Sequence, residues 1–194
     1  LMIVTSSYCL LNFSRIAVAN PGLSITVSTN KGTYYIRELV NVYGNLTFDG
    51  SSVDQLVGLE VLDAYNHPFI CRTIPTDNFS SSNMDIRILK VTPCDWHFNP
   101  KNNFTLGETA YFNLTVTNTG TTGWDGIGTL TAFDGTMMPI SPVHYTSLSI
   151  AANSTQSVLM QAYVSEWSYI GEANAVACVF TDWPKDLGAP ACPE

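Results

Sequence analysis

Residues 109–117 read TAYFNLTVT. Ala110, Phe112, Leu114 and Val116 form one alternate set, and Thr109, Tyr111, Asn113, Thr115 and Thr117 the other. An apolar set and a polar set at a period of two predict an antiparallel strand with one face on a core. Residues 39–48, LVNVYGNLTF, repeat the pattern. Val40, Val42, Leu46 and Phe48 face inward, and Asn41, Tyr43, Asn45 and Thr47 face outward.

Working outward, eight more segments have strand character: SITVST (24–29), VGLEVL (57–62), FICRTI (69–74), DIRILKV (85–91), TLTAF (129–133), YTSLSI (145–150), SVLMQAYV (157–164) and ANAVACVFT (173–181). Turn clusters separate them: FDGSS, YNHP, TNTGTTG, FDGT and AANS. No segment has a helical apolar stripe. Many short strands divided by such turns predict an all-β chain of sandwich type.

The chain also repeats. Shifted by 70 positions, KGTYYIRELVNVYGNLTFDG (31–50) lies on KNNFTLGETAYFNLTVTNTG (101–120) without a gap. Lys31 meets Lys101, Tyr34 meets Phe104, Ile36 meets Leu106, Glu38 meets Glu108, and Val42 meets Phe112. The expected organisation is two tandem immunoglobulin-like β-sandwich domains, residues 21–93 and 94–194, behind an N-terminal strand over 1–20. TPCDWHFNPKN (92–102), with two prolines and a polar cluster, is the expected joint.

Charged residues are only 12% of the chain and the net charge is −8. Eight scattered Lys and Arg exclude a nucleic-acid surface, which needs clustered cations. They also exclude a polybasic membrane patch. Polarity comes instead from 17 Ser, 21 Thr and 15 Asn. Glycosylation sequons stand at Asn12, Asn45, Asn78, Asn103, Asn113 and Asn153. That composition gives roughly three by chance, so the excess points to N-linked glycans and an extracellular, exported protein.

Five cysteines suit the same compartment, since no CxxC or zinc-finger spacing occurs. Cys178 and Cys192 could close a short loop, and Cys71 and Cys94 bracket the expected last strand of the first domain. Cys9 is then left over, as a buried thiol or a bridge to another cysteine; the sequence fixes no connectivity.

The two ends complement each other. Domain 2 has its last good strand at ANAVACVFT, followed by the proline-rich TDWPKDLGAPACPE (181–194). The final strand of the sandwich is expected to be missing, leaving an apolar acceptor groove and an open sheet edge. LMIVTSSYCLLNF (1–13) is apolar on both alternate sets, as a strand buried on both faces would be. It is expected to act as a donor strand through Leu1, Ile3, Val4, Tyr8, Cys9, Leu11 and Phe13. The alternative is that residues 1–18 form the first strand of their own domain. Thr5, Ser6, Ser7, Asn12, Ser14 and Arg15 break the run too often for a membrane span. No basic region precedes it, so a signal peptide is expected to have been removed already.

With both ends in view, the chain resembles a family. Archaeal tandem β-sandwich surface proteins carry segments like YYIRELVNVYGNLTFDG and VFTDWP…GxPxCPE, and here residues 179–194 read VFTDWPKDLGAPACPE. The whole resembles the archaeal thread pilins, subunits of head-to-tail filaments joined by donor-strand complementation. The resemblance implies a structural role in adhesion or biofilm, identical subunits as partners, heavy glycosylation and covalent reinforcement. Lys31 and Lys101, equivalent by the repeat, are candidates for isopeptide bonds or simply surface lysines.

No cofactor, metal site or enzymatic activity is expected. GxSxG, P-loop and HExxH motifs are lacking. Cys94-Asp95-Trp96-His97 offers too few ligands for a metal, and His67, His97 and His144 are dispersed. Met137-Met138 reads as packing. The competing function is a monomeric or S-layer-associated binding module, using aromatic loops around Trp124 and Trp167.

Overall fold

The computed structural model describes residues 23–30, 40–63, 65–81 and 84–194. The expected donor strand, with Cys9 and Asn12, lies outside these residues, as does Lys31. The described chain is all-β, with strands β1 (Leu23–Thr29), β2 (Val42–Phe48), β3 (Ser51–Ser52), β4 (Leu56–Leu62), β5 (Pro68–Pro75), β6 (Ile86–Cys94), β7 (Thr109–Asn118), β8 (Trp124–Asp134), β9 (His144–Ile150), β10 (Ser154–Tyr163) and β11 (Ala173–Phe180). Every pairing is antiparallel.

Two three-stranded sheets, β10-β7-β6 and β11-β8-β9, enclose the main core. Ala110, Phe112, Leu114 and Val116 all point into it from β7, as the alternation requires. Leu130 and Ala132 of β8, Leu148 and Ile150 of β9, Met160 of β10, and Ala177 and Val179 of β11 meet them.

The β4-β5 hairpin forms a third layer on the outer face of β8 and β11. Cys71 of β5 packs with Ile127, Val143, Cys178 and Phe180 in a second, smaller core. Gly58 makes this close approach possible, because a Cβ there would sit 3.0 Å from the Phe180 ring. β8 is therefore buried on both faces from Ile127 onward, Thr129 and Thr131 included. Hydrogen bonds from their hydroxyls offset the cost of burial. Thr131 Oγ1 accepts from Cys71 N at 3.4 Å, and Thr129 Oγ1 donates to Cys178 O at 3.4 Å.

β1, β2 and β3 form a separate sheet in which no described side chain is fully buried. Val27, Tyr43 and Phe48 are exposed on it.

One turn is used three times. Asp63, Asp95 and Asp134 each follow a strand residue and precede a proline by five positions: Pro68, Pro100 and Pro139. Each aspartate N–H donates to the carbonyl four residues on, at 2.9, 2.8 and 2.9 Å. Each Oδ1 accepts from the amides two and four residues on, at 2.8–3.1 Å. The third residue after the aspartate is left-handed: Asn66, Phe98 and Met137, with φ of 67°, 67° and 63°. Three short bonds to one aspartate offset the cost of placing a non-glycine residue there.

This turn corrects the expected domain boundary. DWHFNP is a tight turn within the sandwich, and Pro100 bridges back to Cys94. β6 pairs with β7 from Ile86↔Asn118 to Cys94↔Tyr111, so it belongs to the sandwich and is not the last strand of a preceding domain.

Candidate functional site

The sequence predicts an open acceptor groove in the second sandwich, and the side between β6 and β11 is where it would lie. The tail occupies part of it. After Phe180 the chain makes a 3-10 turn at Pro184–Asp186, and Leu187 reverses it in a left-handed conformation. Thr181 N then donates to Ala189 O at 2.9 Å, and Ala191 N donates to Val179 O at 2.8 Å. Cys192, 1% exposed, enters the main core, and Ala191 packs against it. Among the described residues no strand pairs with the outer edge of β11 over Ala173–Ala177, nor with the outer edge of β6 before Pro93, where Lys101 N donates to Pro93 O at 3.3 Å and Pro100 bridges to Cys94. Ile88 and Val91 of β6 and Ala175 of β11 lie partly buried along this seam, and Leu89 at the β6 bulge is exposed.

The tail ends on the third layer. The Glu194 carboxylate takes both the Nε and Nη2 donors of Arg72, the former at 2.6 Å. It also accepts from Thr73 N at 3.2 Å. This two-pronged pair holds Arg72 protonated, with a pKa above its usual value. A second clasp joins Glu60 Oε2 to the Lys185 amide at 2.7 Å. Burial raises the Glu60 pKa, against the opposing effect of that amide.

All four described cysteines are buried free thiols, so neither expected pairing is formed. Cys71 looks from β5 onto β11, whereas Cys94 ends β6 in the far sheet, opposite Tyr111. Cys178 faces the hairpin, whereas Cys192 packs into the main core. Burial pushes the Cys178 thiol up to about 12 and the Cys192 thiol up to about 11. Cys71 and Cys94 are raised for the same reason.

A cleft of about 1030 Å³ lies between the β8-β9 and β10-β11 loops, lined among others by Asp134, Met138, Ile140, Tyr163, Trp167 and Tyr169. Asp134 organises it. Besides its own turn, it accepts from Thr136 Oγ1 at 2.7 Å and, across the cleft, from Tyr169 N at 2.9 Å. Burial favours the protonated acid, but these bonds together outweigh it and lower the Asp134 pKa. Trp167 is 85% exposed on the rim. Trp124, its expected companion, packs instead against the main core.

Of the described sequons, Asn45, Asn78, Asn103 and Asn153 are exposed. Asn113, central in its sheet, is half-buried, and its Oδ1 is enclosed without a partner. Lys101 is ion-paired with Glu108. Asp95 stands between Cys94 and His97, and its oxygens are taken up by His97 N and by Asn99. No group of three His, Cys, Asp or Glu suited to a metal occurs among the described residues, and no described helix is long and apolar enough to cross a membrane. No protein-family profile matches the chain, and no curated protein is similar to it.

Proposed function

We propose that the chain is a structural subunit of an extracellular archaeal filament, polymerised head-to-tail from identical copies. In this reading the strands form two tandem immunoglobulin-like units, and residues 1–18 serve as a donor strand that enters the β6–β11 seam of the next copy. The observation that carries the reading is the seam. Two strand edges border the main core there; Ala189–Ala191 run beside the end of β11 and Pro100–Lys101 beside the end of β6, and among the described residues no strand pairs with the rest of either edge. Such edges are templates for a further strand. Main-chain bonds would supply affinity, and alternate side chains the register. A head-to-tail contact that does not close extends indefinitely. Four exposed sequons and a surface poor in charge accord with a glycosylated cell-surface polymer serving adhesion or biofilm. The reading assigns no catalytic role.

The test is deletion of residues 1–18. The truncated protein should fold, fail to assemble in negative-stain images, and bind a synthetic 1–18 peptide. A truncated protein that unfolds and ignores the peptide would make that segment part of its own domain.

A second reading, a carbohydrate-binding surface module, is favoured by the cleft. An exposed Trp167 beside Tyr163 and Tyr169 offers apolar ring faces, with hydroxyls nearby. It predicts a monomer whose Trp167 fluorescence responds to a neutral oligosaccharide such as mannohexaose.

A further inference from the structure

The four buried thiols are not equivalent. Cys71 and Cys178 are both 0% exposed and share the small core between the hairpin and the sandwich. The Cys178 sulfur lies 3.6 Å from the Cys71 carbonyl oxygen, across 107 positions of sequence. The other apolar members of that core are Ile127, Val143 and Phe180, and the Glu194 carboxylate, held by Arg72, lies 3.7 Å from the Cys178 sulfur. Among the described residues Cys94 and Cys192 have no such neighbour. Cys94 closes β6 at Tyr111, and Cys192 packs near Ile88 at the other end of that strand.

We propose that Cys71 and Cys178 form a disulfide in the mature protein, fastening the β4-β5 layer to β11. A disulfide needs its Cβ atoms about 3.5–4.5 Å apart. The Cys178 sulfur already lies against the Cys71 main chain, which places the two residues in direct contact across the layers. The two thiols together lose two protons and two electrons. The disulfide of an oxidised dithiol–disulfide oxidoreductase accepts both and becomes a dithiol. Exchange proceeds through a thiolate, and burial suppresses the thiolate in the finished fold. The bond therefore forms as the hairpin docks, before the small core closes. The proposal draws on the export reading only for its oxidising compartment.

Trypsin places the five cysteines on separate peptides: 1–15, 38–72, 91–101, 102–185 and 186–194. The full chain, made in a bacterial periplasm where archaeal glycans do not interfere, is denatured in iodoacetamide without reductant and digested. The expected product is 38–72 linked to 102–185, with Cys94 and Cys192 alkylated. Alkylation of all five, or linkage of 38–72 or of 102–185 to any other cysteine peptide, would overturn the proposal. As a second measurement, dithiothreitol should lower the melting temperature by roughly 10–20 °C, the range for cross-linking so long a loop in a chain of this size. A C71A/C178A variant should melt near the reduced protein and ignore the reductant. An unchanged melting temperature on reduction of the wild type would also count against the bond. The filament reading is judged separately. A monomer carrying the 71–178 link defeats the filament alone, and a filament with four free thiols defeats the disulfide alone.

Discussion

Replacement of Asp134 by alanine tests whether one carboxylate organises both loops of the cleft. Asp134 is 4% exposed and accepts from Thr136 N, Thr136 Oγ1, Met138 N and Tyr169 N. Alanine leaves three amides without their acceptor. A hydrogen bond to a charged group contributes about 1.5–3 kcal/mol. The loops lie at the surface, where water recovers part of each loss, so a total of about 3–4 kcal/mol is expected. For a chain of this length that lowers the melting temperature by roughly 6–16 °C. The D134N variant keeps one side-chain oxygen, which can serve either its own turn or Tyr169, so its loss should be about half. Urea titration followed by circular dichroism gives the free energies, and acrylamide quenching reports on Trp167. The reasoning fails if D134A costs less than about 0.5 kcal/mol, the range of an ordinary surface substitution. It also fails if D134A and D134N lose stability equally while quenching stays at the wild-type value.

Leu114 is fully buried in the main core, and L114A should cost about 3–4 kcal/mol by chemical denaturation, with the slope of the transition unchanged. Acid should destabilise the protein in two stages. Burial lowers the His144 pKa from 6.5, and its Nδ1 has no partner. The unfolded chain thus binds a proton first, so stability is full above about pH 6.5 and declines as pH falls through the lower folded value. H144Q should abolish this first stage in a plot of urea midpoint against pH. Asp134 is lowered from 3.8, so its contribution is full above about pH 3.8 and is lost as pH falls through its folded value. D134N should flatten this second stage. On protein from the native source, peptide mass spectrometry should find glycans at Asn45, Asn78, Asn103 and Asn153 but not at Asn113. A fully occupied Asn113 would mean that its enclosed carboxamide is readily released.

The parts of the fold legible from sequence are those in which a strand has one wet face. TAYFNLTVT is such a case, and Ala110, Phe112, Leu114 and Val116 occupy the expected side. TLTAF has the same alternation, yet Thr129 and Thr131 are buried, because β5 arrives from elsewhere in the chain to cover them. A local period cannot register a layer contributed by distant residues. The three aspartate turns are visible in the sequence as DAYNHP, DWHFNP and DGTMMP. Prolines and polar residues suit a linker equally well, and only the carboxylate bonds distinguish the two. Cysteine pairing is illegible for a related reason. Cys178 and Cys192 are near in sequence but pack into different cores, whereas Cys71 meets Cys178 only after the hairpin docks. Of the two tryptophans expected on an aromatic surface, Trp167 is exposed there, while Trp124 is held by the core.

The repeated aspartate turn has a colloidal consequence. Asp63, Asp95 and Asp134 all have lowered pKa values, as does Glu108 beside Lys101. These groups stay ionised in acid that would neutralise free carboxylates. Mutual repulsion between molecules should accordingly outlast what composition implies, and the point of minimum solubility should move to lower pH. A backbone device for shaping loops thereby also delays clumping in acidic surroundings.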